Sequence, residues 1–159
     1  MRSFPLSAAY LVGLCSVVLQ PRPLAAERPV AAPRTQATLQ ETVDTVKASL
    51  SIEHPVVVSI VANNTRVVSV AAPPEAGGPF QLAVDAAFLN LLTDDELTAA
   101  LAHELGHVWV FTHHPYLQTE RLANEIAMRV VDRASLERVY GKVWARDGTK
   151  GDLVSFLGH

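Results

Sequence analysis

Two histidines four residues apart, with a glutamate beside the first, form the segment His103-Glu104-Leu105-Gly106-His107. On a helix, positions i and i+4 leave the same face one turn apart, so both imidazoles can grip one metal ion. Glu104 lies roughly 100° further round the helix, placed to reach a water rather than to serve as an equivalent ligand. Neutral imidazoles suit zinc and leave it Lewis acidic. The metal brings the pKa of a bound water toward ~7, and a nearby carboxylate can take its proton during attack on a carbonyl. This His-Glu-x-x-His arrangement predicts one Zn2+, with His103 and His107 as ligands and Glu104 as general base.

A catalytic zinc site needs a third protein ligand and an open position for water. His113 stands ten residues after His103, the spacing of the longer pattern His-Glu-x-x-His-x-x-Gly-x-x-His. The glycine of that pattern lets the chain turn its third histidine back to the metal. Here the position is Val110, a β-branched residue unsuited to such a turn. Glu120 opens the next helical segment, and a helix hairpin through residues 113–117 would return it to the metal. Glu120 is therefore the favoured third ligand, His113 the alternative, and Glu125 a weaker candidate further along.

The motif sits on a well-marked helix. Thr93 and Glu96 form a capping box, Asp94 and Asp95 suit the positive end of the helix dipole, and Pro115 stops a helix that runs from Asp94 to about Thr112. Further helices are expected over about 118–134 and 135–145, with a short apolar tail at 153–157. Upstream, Leu39, Val43, Val46 and Leu50 recur at helical spacing over about 38–50. Residues 56–62 and 66–72 are β-branched runs flanking Asn63-Asn64-Thr65, which predicts a hairpin. Phe80, Leu82 and Val84 alternate with Gln81 and Ala83, a strand that at a sheet edge could accept an extended peptide. A short helix should follow near 86–92. One helix, then strands, then helices alone argues an α+β fold with a small antiparallel sheet.

The chain has 159 residues and a formal charge of −3 without a basic cluster, which excludes a phosphate-tracking surface and makes nucleic acid an unfit partner. Arg2, the apolar run from Leu6 to Leu19 and the small residues ending at Ala26 read as an export signal. The run is shorter than the ~20 residues of a membrane span, so an uncleaved anchor is the second reading. Leu14 before Cys15 argues against a lipoprotein. The expected organisation is a signal peptide at 1–26, a Pro- and Ala-rich linker at 27–37 and one domain at 38–159, placed in the periplasm or outside the cell. Cleavage removes Arg2 and Arg22, taking the formal charge to −5, and also removes Cys15, the single cysteine. Without disulfides, core packing and metal must hold the mature domain.

The stretch from Leu91 through the capped start at Thr93 to His107 resembles the active-site helix of HtpX-like and CAAX-prenyl endopeptidases, which are gluzincin metallopeptidases. Gly77-Gly78 and the Phe80–Val84 strand resemble the segment lining their substrate cleft. Glu120-Arg121-Leu122-Ala123-Asn124-Glu125-Ile126-Ala127 is similar to their second motif, Glu-x-x-Ala-Asp-x-x-Ala, with the Asn found in IrrE/ImmA-like peptidases. The resemblance spans about residues 73–131. It implies a zincin helix hairpin packed on the sheet, Glu120 as third zinc ligand, and Asn124 orienting a ligand histidine from behind. The membrane-bound relatives place far more chain between His107 and Glu120, and their membrane helices are missing here. The compact catalytic core carries over, and their membrane-protein substrates do not.

The function expected is an exported zinc endopeptidase acting on peptide or protein substrates. A non-catalytic metal- or partner-binding module on the same scaffold, or a zinc amidase acting on non-protein amides, are the alternatives. His114, Tyr116, Tyr140 and Arg121 could stabilise an oxyanion, and each has an ordinary surface or packing role as its plainer reading. Trp109 and Phe111, beyond His107 on the same helix, could contact substrate, with packing as their plainer reading.

Overall fold

The computed structural model describes residues 34–159; the expected signal segment and residues 27–33 of the expected linker lie outside them. Helix α1 (Gln36–Ser49) starts two residues earlier than its apolar period implies, because Thr35 and Thr38 cap each other reciprocally. It buries Leu39, Val43 and Val46 against the first strand and the motif helix.

Three strands follow: β1 (Val56–Val61), β2 (Val68–Ala71) and β3 (Phe80–Asp85). The α+β class is as expected, but the hairpin is not formed. The strand order is β1-β3-β2, with β1 parallel and β2 antiparallel to β3. The sheet is thus mixed, and β3 is its centre rather than its edge. The physical reason lies in the connection after β1. Asn64 reaches across the end of β3, donating from its backbone N to Asp85 and from Nδ2 to the Ala83 carbonyl and Ser69 Oγ. Val67 then takes φ 58°, a left-handed conformation rare for a β-branched residue and costing on the order of 1–3 kcal/mol. That kink swings β2 to the far side of β3.

After α2 (Ala86–Leu89) comes α3 (Asp94–His113), with the Thr93–Glu96 capping box formed as expected. Helix α3 is the hub, touching α1, β2 and both following helices. The helix expected over 118–134 is shorter, and the one expected over 135–145 starts earlier. Helix α4 (Glu120–Ala127) ends in tight turns through Met128 to Val131, and Asp132 then caps α5 (Arg133–Asp147) by accepting from Ser135 N at 2.6 Å. Helix α5 stops at Gly148 in the left-handed conformation, and α6 (Leu153–Leu157) closes the chain. Leu82, Val84, Phe88, Leu101, Leu105 and Val108 form the centre of the core. Among the described residues, no helix is long and apolar enough to cross a membrane.

Asp85 ties three elements together at the end of β3. Its carboxylate accepts from Phe88 N (2.9 Å) and Asn64 N (3.1 Å) and pairs with Arg146 of α5 (3.1 Å). These partners, Phe88 first, hold its pKa at about 2, below the ordinary 3.8. A depressed carboxyl stabilises the fold above its unfolded pKa, and that contribution fades as pH falls through the folded value. The melting temperature should therefore drop as pH falls from about 4 toward 2. Asp85→Asn should lower the neutral-pH melting temperature and make this acid limb shallower, as read by circular dichroism.

Candidate metal centre

The site depends on how closely α4 can approach α3. Gly106 lies on α3 between the two histidines, and a Cβ built there would stand 2.2 Å from the Ala123 carbonyl oxygen of α4. Only glycine permits that contact. Its backbone touches Ala123, and the first turn of α4 comes to rest beside His103 and His107. A 3-10 turn at Pro115–Leu117 reverses the chain, and Thr119 caps α4 by accepting from Leu122 N. The short connection is sufficient because the helices meet backbone to backbone.

The three expected ligand side chains converge. His103 Nε2 lies 3.2 Å from Glu120 Oε2, and His107 Nε2 lies 3.5 Å from Glu120 Oε1. One donor atom from each falls within 4.8 Å of the others. Donors bound tetrahedrally at zinc distances lie about 3.4 Å from one another, so this set fits a zinc ion. Hydrogen bonds from the imidazoles hold the Glu120 carboxyl far below the ordinary carboxylate range. For His103, burial pushes the ring down, but Glu120, the Glu104 charge and Asn124 outweigh it and leave the value raised.

Glu104 is buried at 7 % exposure, and that burial pushes its carboxyl above the ordinary range. The charges of His103 and His107, and after them the backbone N–H of Val70 in edge strand β2, pull the other way. Asn124 is fully buried behind His103, its Oδ1 2.8 Å from His103 Nδ1. A cavity of about 420 Å³ opens beside these groups, between β2, α3 and α5. Val68, Val70, Phe80, Phe111, Val139 and Tyr140 line it, together with His103, Glu104, His107 and Glu120.

The other sequence candidates lie elsewhere. His113, the alternative ligand, is exposed, stacks on Trp109 with ring centroids 4.1 Å apart and bonds through Nδ1 to the Trp109 carbonyl. With Val110 inside α3, the helix never turns His113 back. Glu125 pairs with Arg121 at 3.0 Å. Tyr116 is fully exposed, and Arg129 lies over Trp109. Phe111 packs edge-on against Phe80 at the cleft and is half-exposed there.

Sequence reasoning passed over Gly106 and the role of β2. Gly106 carried a signal: a glycine inside a helix costs about 1 kcal/mol against alanine, so it calls for a packing reason. For β2 there was none, because apolar runs do not name their neighbours.

Gly106→Ala should destabilise the fold by about 1–3 kcal/mol, the range for overpacking, and weaken zinc binding by driving α4 away. Thermal melts and a chromophoric chelator competition read the two effects. In the same competition, Glu120→Ala should lose zinc and His113→Ala should keep it; the reverse would make His113 the ligand.

No curated protein matches the chain. Among solved structures, it is similar to the metallopeptidase zymogen of Pyrococcus abyssi abylysin, with a TM-score of 0.51 and 18% identity. That likeness covers 72% of this chain and 99% of the other, and at such identity it speaks for the fold alone. Peptidase family M48 matches residues 33–153, which takes in the motif helix, α4 and α5, and the chain belongs to that family.

Proposed function

We propose that the protein is an exported zinc endopeptidase that cleaves peptide bonds with Glu104 as general base. The observation that carries this reading is Glu104 itself. It is a buried carboxylate next to a His, His, Glu donor set and facing a cleft. A site that only stored metal or held a partner would have no use for it, and burying a carboxylate is costly.

His103, His107 and Glu120 would hold the ion. Zinc there supplies Lewis acidity, which acidifies water and polarises a carbonyl. Glu104 accepts the proton of the attacking water and delivers it to the leaving amine. Burial favours the carboxyl's taking up that proton. Strand β2 is the sheet edge along the cleft, so an extended substrate adds there, not on β3. The apolar walls at Val68, Val139 and Phe111 suit an apolar side chain of the substrate. Export rests on Arg2, the Leu6–Leu19 run and the small residues at Ala25-Ala26.

Glu104→Gln keeps the shape and removes the base. Purified protein should retain zinc and lose cleavage of an unstructured protein substrate by about 10²- to 10⁴-fold. Unchanged cleavage would sink the mechanism. Zinc binding without cleavage by the unsubstituted chain, on peptide and simple amide substrates alike, would favour a binding module. Hydrolysis of amides alone would favour an amidase.

A further inference from the structure

The imidazole of His103 can bind metal through Nε2 only if its proton sits on Nδ1. Asn124 Oδ1 accepts that proton at 2.8 Å. An amide, however, can turn over and present Nδ2 instead, which would force the opposite tautomer and put a proton where the metal must bind. Something has to fix which way Asn124 faces. Its Nδ2 has two partners: the Tyr140 hydroxyl at 2.8 Å and the backbone carbonyl of Phe156 at 3.0 Å. A hydroxyl both donates and accepts, so Tyr140 tolerates either orientation. A carbonyl only accepts. The Phe156 carbonyl therefore forces Nδ2 toward the tail and Oδ1 toward His103.

We propose that the C-terminal segment is a positioning element of the metal site: through the Phe156 carbonyl it sets the Asn124 amide, and through Asn124 the tautomer of His103. The proposal rests on the metal-centre reading above. The tail is held for the purpose. Arg133 donates to the Leu157 carbonyl (3.2 Å) and the Gly158 carbonyl (2.9 Å). The Phe156 ring lies 5.1 Å from Tyr140 and 6.0 Å from Trp144. Gly151 passes so close to Trp144 that a Cβ would stand 2.2 Å from its ring. The arrangement also accounts for Asn where the second motif it resembles has Asp. A carboxylate has no donor for Phe156, whereas an amide serves both neighbours.

The test uses the full chain with R133Q and F156A together, which release the tail without touching a metal donor. In the metal-free protein carrying E120A, which removes the carboxylate that competes for a proton on Nε2, ¹⁵N spectra at a pH where the ring is neutral should show His103 with its proton on Nδ1. In that background the released-tail variant should show a mixture of tautomers, and with Glu120 in place its zinc affinity should fall about 10- to 100-fold, the usual effect of removing a ligand's outer partner. Adding N124D to that variant should restore both readouts, because either carboxylate oxygen accepts from His103 whatever the tail does. In the otherwise unsubstituted chain, N124D should instead loosen α6, seen as faster amide exchange there.

A single unchanged tautomer after tail release would overturn the proposal. So would weakened zinc binding that N124D fails to restore, since the tail would then act by packing alone. If the doubly substituted chain does not fold, R133Q alone is read the same way. Failure of the unsubstituted protein to bind zinc would instead sink the metallopeptidase reading, while the tautomer spectra still judge the tail.

Discussion

The distance between α3 and α4 is set by backbone against backbone, and the chemistry hangs on it. Gly106 gives no side chain to hold the helices apart, and buried Ala123 presents its carbonyl directly. Each helix then offers a pair of residues four apart to the same place. His103 and His107 come from α3, and Glu120 and Asn124 from α4. Glu120 meets the imidazoles from the front and Asn124 supports one from behind. Widening the helix pair by one methyl group would withdraw both at once.

Helix α5 holds this pair in place by electrostatics. Arg138, Lys142 and Arg146 recur every four residues on one stripe. Arg138 and Lys142 approach Glu96, the buried capping residue of α3, at 3.6 and 2.5 Å, and Arg146 pairs with Asp85. Burial alone would raise the Glu96 carboxyl, but Lys142 and Thr93 more than offset it, so it stays ionised. Buried acids are costly unless paired, and among the described residues no buried side-chain polar atom is left without a partner. The same stripe fixes the roll of α5 and so sets Tyr140 6.0 Å from His103. The described residues contain no cysteine, and these ion pairs tie distant elements together in place of disulfides.

Much of this was legible in the residues, wherever the cause is local. The capping box at Thr93, the same-face histidines and the stop at Pro115 all follow from spacing within a few residues. Glu120 could be favoured over His113 because Val110 forbids a turn, again a local argument. What stayed hidden depends on partners far away in the chain. The identity of β3 as the central strand is decided by Asn64 and Val67 crossing its end. The boundary between α4 and α5 lies earlier than the expected 134–135, and Asp132 as a cap was the local mark of where α5 starts. The tail's contact with Asn124 joins residues 32 apart, and a backbone carbonyl leaves no mark on the sequence at all.

The mixed sheet also fixes an order of events. Strands β1 and β2 are adjacent in sequence yet never pair; each waits for β3, which is made last and lies between them. During synthesis, the β-branched segments 56–61 and 68–71 therefore have no native ladder partner until residues 80–85 have emerged. Pairing with each other would give a plausible but wrong hairpin, the one their sequence advertises. Such transiently orphaned strands are exposed to misregister and self-association. The Val67 bend offers no escape from that trap, because a conformation that costs free energy locally is held only once the surrounding structure enforces it. The local cost at one residue thus ties the placing of β2 to the arrival of β3.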